Sequence, residues 1–464
     1  MALKVTLHGA AETVTGSHFL VENEGAKIII DCGVEQGKDY CESCAYEPFP
    51  YDLKSIDAVI ITHAHLDHIG RAPRLLKEGY GGRIYMTPPT RDLGELILRD
   101  SAHILGQHAH EQKKAPLYDE RDVDAFLSRV ETVEYHTEVQ VKDSLSFVLG
   151  NTGHILGSAS VRVKDTVDGT TFAVTSDIGA TPAELLPDAE PILDADVVLI
   201  ESVYGDRENP EQKRRVPLLL EVLKKAVERG GAVLVPAFSM ERTQLMLYEI
   251  ANFYEQGMLP KVPVFLDSPL AINVTKVYRK YAREYFKKGV QAELHRDGDL
   301  FSFPFLTSTE SREESDTIAT TPNPKIIIAG AGMSHGGRIG RHEARYLPDP
   351  KTTLAMVGYQ APGSPGRLLS DGASSVRLDG REVKVRASVV TIHGWSGHAD
   401  RNGLLEYAQK CLPRTKTFLV GIGEPSSARF LAQRIHDFLG VKAIVPRNGD
   451  TFVISKQGAV PYKV

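Results

Sequence analysis

The segment His63-Ala64-His65-Leu66-Asp67-His68 gathers three imidazoles and a carboxylate directly after the apolar run Ala58-Val59-Ile60-Ile61-Thr62. In an extended segment, side chains two residues apart project to the same side. His63 and His65 can therefore address one ion, while Asp67 and His68, past the bend, address a second. So many polar groups at the end of a buried strand need partners and charge compensation, which a cation supplies. The chemistry open to such a cluster is hydrolysis at a two-metal centre, where two ions share a hydroxide and steady the attacking and leaving oxygens. Scattered histidines such as His8, His18, His108, His110 and His136 lack this company and read as surface or core residues.

Two distant residues complete the ligand set. His154 sits in Thr152-Gly153-His154-Ile155-Leu156-Gly157-Ser158, where small residues permit close backbone approach, and Asp177 follows the strand-like Phe172-Ala173-Val174-Thr175. Zinc suits these donors. His63, His65 and His154 are assigned to the first ion and Asp67 and His68 to the second, with Asp177 bridging them.

These residues need a rigid scaffold, and the chain has the elements for one. Its 464 residues exceed what a single core usually organises, so two domains are expected. Up to residue 205 the sequence reads mostly as strands, including Lys27-Ile28-Ile29-Ile30, Ser146 to Leu149 and Val197 to Ile200, and Asp31, His63, His154, Asp177 and Glu201 fall at or after strand ends. From residue 206 helix and strand alternate: helices over Val216–Val227 and Met240–Tyr254, strands at Ala232–Val235 and Lys325–Ala329. This is the pattern of a parallel sheet in βαβ units. Ser308 to Pro324 has few apolar anchors and reads as an exposed loop. From residue 387 short strands return, at Ser388–Ile392, Thr417–Val420, Ala443–Val445 and Thr451–Ile454, with a helix over Pro425–Phe438. The expected organisation is residues 1–205 as the first part of one domain, 206–386 as an insertion, and 387–464 as its second part.

Composition excludes several classes. No apolar run is long enough to cross a bilayer, and the alternating start Met1 to Leu7 lacks a signal-peptide core, which places the chain in the cytoplasm. Four cysteines are too few for a disulfide framework, and the Cys41–Cys44 pair has no companion at zinc-ribbon spacing. The formal net charge of -6 argues against coating nucleic acid by bulk electrostatics and leaves a local basic groove open.

In these motifs the sequence resembles the metallo-β-lactamase superfamily, and further segments narrow the resemblance to its β-CASP branch, which cleaves RNA or DNA phosphodiesters. The superfamily's metal motifs match Asp31, His63, His65, Asp67, His68, His154 and Asp177, with Asp31 in a structural role. The branch's additional motifs match Glu201, in Ile200-Glu201-Ser202-Val203-Tyr204-Gly205-Asp206-Arg207, and His398, in Trp395-Ser396-Gly397-His398-Ala399-Asp400. The resemblance covers nearly the whole chain. It implies an α/β fold, a four-layered αββα metallo-β-lactamase domain with an inserted β-CASP α/β domain, two zinc ions, and a single-stranded RNA substrate. It also implies a homodimer.

The implied activity is a ribonuclease of RNA processing or decay, using a metal-bound hydroxide endonucleolytically, with 5′-to-3′ exonucleolytic cleavage as a further mode. Asp67 belongs to the catalytic set. His398 meets the leaving oxygen's need for a proton, and Glu201 fixes its other ring nitrogen. The turn Gly330 to Arg338, with Gly336, Gly337 and Arg338, can cradle a phosphate or merely permit a tight turn, and Ser239 is a helix cap or a phosphate contact. One motif departs. Where relatives carry a histidine before Gly-Glu, this chain has Ile422, which cannot ligate: either the second ion keeps Asp67, His68 and Asp177 and fills its shell with water or substrate oxygen, with activity retained, or the second site is empty or weakly held. A thioester-type small-molecule hydrolase and a catalytically weak RNA-binding paralogue are the alternatives.

Overall fold

The computed structural model describes residues 2–35, 45–412 and 414–462; Cys41 and Cys44 lie outside them. The chain divides into two compact units, residues 1–208 with 397–464, and residues 209–396.

The first unit stacks two sheets. One has eight strands, in the order Gly458–Pro461, Thr451–Ser455, Leu3–Gly9, His18–Glu22, Lys27–Ile30, Ala58–Ile60, Arg83–Met86 and Val130–Thr132. The other has seven: Lys442–Ile444, Thr417–Gly421, Val197–Glu201, Thr171–Val174, Ala159–Asp165, Leu145–Asn151 and Glu138–Val141. Leu3–Gly9 buries every second residue, as the period of a strand requires. Its Val5 and Leu7 join Phe19, Ile28 and Ile30 against Phe147, Val161, Phe172, Leu199 and Leu419 of the facing sheet.

Each outer face is covered by helices. Ile29, Val59 and Ile84 pack on Leu75, Leu98 and Phe126, from the helices Ala72–Lys77, Pro88–Gln112 and Glu120–Leu127. Val198, Ile200, Phe418 and Val420 pack on Leu404, Leu431 and Ile435, from Arg401–Lys410 and Pro425–Leu439. The result is the four-layered αββα arrangement expected from sequence. Strands such as Val197–Glu201, covered on both faces, are buried throughout and read as unbroken apolar runs.

The second unit is a doubly wound α/β layer. Its six strands, Leu306–Ser308, Val264–Leu266, Lys325–Ala329, Ala232–Pro236, Thr353–Val357 and Ser388–Ile392, are all paired in parallel. The last corrects the boundary drawn at residue 387. Ser388–Ile392 pairs with Thr353–Val357 in this sheet, so the return to the first unit comes one strand later. A short apolar run carries no mark of which sheet it will extend.

Ser308 to Pro324 also differs from the expected loop. It contains the helix Arg312–Thr317, opened by a capping box between Ser311 and Glu314. It is tethered by the fully buried Ile318 and by polar contacts: Thr309 Oγ1 and Ser315 Oγ each donate to the buried Asp267 carboxylate at 2.7 Å. Arg338 Nη1 and His342 Nε2 approach the same carboxylate at 2.6 Å. Burial acts to raise the Asp267 carboxyl, but these partners outweigh it and hold it well below the usual range.

Removing one member of such a buried network leaves the others uncompensated. Asp267→Ala is expected to destabilise the second unit by about 3–5 kcal/mol and to speed amide exchange over residues 309–317, read by denaturant titration with hydrogen exchange. Because the folded carboxyl is depressed, its contribution is complete above the unfolded carboxylate range, about pH 4, and is lost as pH falls further. A variant with native exchange in this segment would show that the tether lies elsewhere.

Candidate metal centre

All the predicted ligands lie in the first unit. His63 follows the strand Ala58–Ile60, and His65 precedes the one-turn helix Leu66–Ile69, which carries Asp67 and His68. The potential ligand atoms of His63, His65, His154 and Asp177 all lie within 4.8 Å of one another. His65 Nδ1 is 3.1 Å from His63 Nε2 and 3.3 Å from His154 Nε2. Asp177 Oδ2 faces His63 Nε2 at 3.5 Å and His154 Nε2 at 3.4 Å. Its other oxygen, Oδ1, faces His68 Nε2 at 3.4 Å, and Asp67 Oδ2 lies 4.0 Å from the same nitrogen. One carboxylate thus divides its two oxygens between two groups of donors.

The residues fit divalent ions of the zinc type. His68 Nε2 and Asp177 Oδ1 are buried, face each other and make no hydrogen bond. Nitrogen donors with shared carboxylates are what such an ion takes. Burial holds the His63 and His154 imidazoles well below their usual pKa, so both are neutral, the form that ligates. Burial also opposes charge on His68, yet the carboxylates of Asp177 and Asp31 outweigh it and hold a proton there well above the usual range.

The far sides of the His63, His68 and His154 rings are anchored. Asp31, at φ 60° just after the strand Lys27–Ile30, accepts from His68 Nδ1 at 2.7 Å, from Thr62 N–H at 2.8 Å and Oγ1 at 2.9 Å, and from Ser17 Oγ at 3.1 Å. An aspartate tolerates this left-handed backbone better than most residues. Thr62 Oγ1 also sits 3.1 Å from His63 Nδ1 and 2.8 Å from Ser176 Oγ. His154 Nδ1 meets the carbonyl of Gly397 at 3.0 Å. Sequence reasoning missed Thr62, Ser176 and Gly397. The first two adjoin ligands and were open to notice on that ground, whereas a backbone carbonyl leaves no trace in residue type.

Glu201 and His398 adjoin this group. Potential ligand atoms of Asp177, Glu201 and His398 also lie within 4.8 Å of one another. The His398 Nδ1 to Glu201 Oε2 distance is 3.3 Å, and Glu201 Oε1 accepts from the Ile178 N–H. Residues 397–399 are laced to 178–180 by Ala180 N–H to Gly397 O at 3.1 Å and Ala399 N–H to Ile178 O at 2.8 Å. The segment carrying His398 is therefore built onto the one carrying Asp177. Burial works against charge on His398, but Glu201 behind it prevails and its pKa is raised to about 9, so the ring is an imidazolium at neutral pH. It is 21 % exposed, whereas Glu201 is fully buried.

Ile422 has no place among the ligands. Its side chain is fully buried in the core between the two sheets, and its backbone holds φ 47°, a conformation that β-branched residues rarely adopt. Its N–H donates to Ala10 O at 2.6 Å and its carbonyl accepts from Ser202 N–H at 3.1 Å.

Ser239, Gly336, Gly337 and Arg338 belong to the second unit. Ser239 is not a helix cap, because the following helix starts only at Arg242; it stands beside Gly330, where an added Cβ would lie 3.6 Å from its hydroxyl. A Cβ on Gly337 would meet Gly330 O at 2.7 Å, so this glycine serves close packing, while Gly336 faces open space. The Arg338 guanidinium is turned onto Asp267 and the carbonyls of Thr309 and Glu310. These contacts hold that segment against the buried carboxylate.

Three family matches tile the sequence: the metallo-beta-lactamase superfamily domain over residues 20–177, the Beta-Casp domain over 243–369, and the Zn-dependent metallo-hydrolase RNA specificity domain over 382–446. Ribonuclease TTHA0252 of Thermus thermophilus is 38% identical over 408 residues, 88% of this chain and 91% of that protein. Transcription termination factor FttA of Methanosarcina mazei is 32% identical, over 97% of this chain and 71% of that protein. An RNase J-like protein of Methanocaldococcus jannaschii is 31% identical, over 95% of this chain and 97% of that protein. A crystal structure of a protein of unknown function from Enterococcus faecalis V583 superimposes with a TM-score of 0.58 at 13% identity, over 98% of this chain and all of that one, a likeness of fold alone.

The anchoring of His68 by Asp31 is open to test. Asp31→Ala frees the ring and leaves Thr62 and Ser17 without their acceptor. Affinity for zinc is expected to fall about 10–100-fold, measured by competition with a chromophoric chelator. Unchanged affinity would show that His68 needs no such support.

Proposed function

The chain belongs to the β-CASP branch of the metallo-β-lactamase superfamily, and on that premise we propose that it is a zinc-dependent ribonuclease that cleaves single-stranded RNA within the chain. The observation that carries this reading is the sharing of Asp177 between the His63–His65–His154 cluster and the Glu201–His398 pair. Metal-dependent hydrolysis and a poised proton donor then meet at one carboxylate. The Ribonuclease TTHA0252 relative and the match to an RNA specificity domain support RNA as substrate.

His63, His65, His154 and Asp177 would hold one ion, and Asp67, His68 and Asp177 a second. Such ions acidify water to give a nucleophile at neutral pH and offset charge on the phosphate oxygens. The residues of the chain do the rest. The neutral His63 and His154 rings keep their lone pairs, and Asp31, Thr62 and Gly397 fix their neighbours' orientation without solvent. His398, charged at neutral pH, gives its proton to the departing ribose oxygen, and buried Glu201 holds the ring while compensating its charge. The second position relies on Asp67, His68 and Asp177 without help from residue 422, which suits a site that keeps room for substrate oxygen. A homodimer and 5′-to-3′ trimming accompany this reading as further expectations.

Zinc content per chain and cleavage of an end-labelled single-stranded RNA test these roles together. His398→Ala should retain metal and lose about 10²–10⁴-fold in turnover, the usual worth of a general acid. Asp177→Ala should lose metal as well as activity. Equal metal loss in both variants would make His398 a ligand and break the assignment. Cleavage of a thioester in place of RNA would overturn the substrate.

A complementary variant addresses residue 422. Ile422→His should raise zinc occupancy at substoichiometric metal while leaving turnover at saturating zinc little changed. A large gain in saturated turnover would show that the missing imidazole limits catalysis.

A further inference from the structure

The helix Pro425–Leu439 packs Ala428, Leu431, Ala432 and Ile435 inward, yet its outer face carries Phe430 and Phe438, 41 % and 64 % exposed. The two rings stand two turns apart, about 12 Å along the axis. Arg434 lies between them, its guanidinium 5.9 Å from the Phe430 ring centroid and 4.6 Å from that of Phe438. Its Nε is buried and makes no hydrogen bond. On the other side of Phe430 the Arg401 guanidinium approaches at 5.8 Å.

This group runs back to the catalytic histidine. Arg401 begins the helix three residues after His398, and its N–H donates to the Arg207 carbonyl at 2.9 Å. The Arg207 guanidinium lies 5.8 Å from the Tyr204 ring, and that ring is 6.1 Å from His398. From His398 outward, aromatic and cationic side chains interleave along one surface of the first unit.

We propose that Tyr204, Arg207, Arg401, Phe430, Arg434 and Phe438 form a binding track for single-stranded RNA leading away from the catalytic centre. The proposal rests on the ribonuclease reading. Bases stack on the exposed rings and phosphates meet the guanidiniums, a combination that binds single strands with little regard to sequence. The track lies partly in the region matched to the RNA specificity domain.

Charge favours RNA over a protein surface here. Arg207 and Arg401 have carboxylates beside them, Asp206 and Glu208, but among the described residues Arg434 has no such partner. An apolar protein face closing on Phe430 and Phe438 would desolvate Arg434 without compensation. A phosphodiester brings the anion with the stacking base.

The test compares KM for single-stranded RNAs of about six and about thirty nucleotides, the shorter near the smallest site size of such proteins, using the zinc-loaded enzyme. In the Phe430→Ala/Phe438→Ala variant the advantage of the long RNA should fall about tenfold or more, whereas Phe438→Trp should keep it. Arg434→Gln should weaken the long RNA and lower its salt dependence by about one phosphate contact. An unchanged long-to-short ratio in the double variant overturns the track. So does a wild-type dimer that this variant dissolves with RNA affinity intact, since the face would then join two copies. Fluorescence anisotropy reads the same ratio without cleavage, so it decides the track even where neither RNA is cut, the outcome that overturns the ribonuclease reading alone.

Discussion

The structure of the first unit depends on one buried carboxylate serving several imidazoles at once. Asp177 faces His63 and His154 with one oxygen and His68 with the other, at 3.4 to 3.5 Å. These distances are long for hydrogen bonds. A group of donors held this way is costly in a dry interior unless a cation is to be bound. The expense is borne by scaffolding: Asp177 ends a segment of the seven-stranded sheet, the His63 cluster follows a strand of the eight-stranded one, and the core between them fixes the gap.

Four imidazoles around that carboxylate, those of His63, His68, His154 and His398, obey the same rule, with one nitrogen toward the centre and the other held from behind. Asp31 holds His68, Thr62 holds His63, the Gly397 carbonyl holds His154, and Glu201 holds His398. The anchors differ in charge, and so do the consequences. A carboxylate behind His398 raises its pKa, as Asp31 and Asp177 do for His68, while His154, with a neutral carbonyl behind it, is lowered by burial. Similar rings thereby acquire opposite protonation a few ångströms apart, for the ring centroids of His154 and His398 are 4.6 Å from each other.

Legibility in the sequence followed adjacency. The cluster at His63 to His68 was visible because its residues are neighbours in the chain, and the strands were visible because their apolar runs are continuous, as at Lys27–Ile30 and Lys325–Ala329. Contacts between a side chain and distant backbone were not. Gly397 is far from His154 in sequence, and nothing in a glycine announces that its carbonyl will orient a histidine. Polar tethers were hidden for a related reason: Ser308 to Pro324 has few apolar residues, and although Ile318 is fully buried, the attachment to Asp267 through Thr309 and Ser315 left no hydrophobic pattern to read. Arg338 showed the converse, a cation beside a glycine turn whose charge is used internally.

Ile422 brings these arguments together. Its backbone sits at φ 47°, a region where histidine, asparagine and glycine are far more at ease than a β-branched residue. The strain persists because the surroundings fix it: the N–H is bonded to Ala10, the carbonyl is bonded by Ser202, and Gly423 packs where a Cβ would meet Ser202 Oγ at 2.3 Å. The turn thus holds a backbone conformation that suits other residue types better, while the isoleucine side chain fills the core between the sheets and recovers burial energy that an imidazole would forgo. His68, held by Asp31, and Asp177, set just after the strand Thr171–Val174, are positioned independently of this turn. The buried isoleucine at 422 therefore serves the core between the sheets, while the placing of His68 and Asp177 comes from other segments.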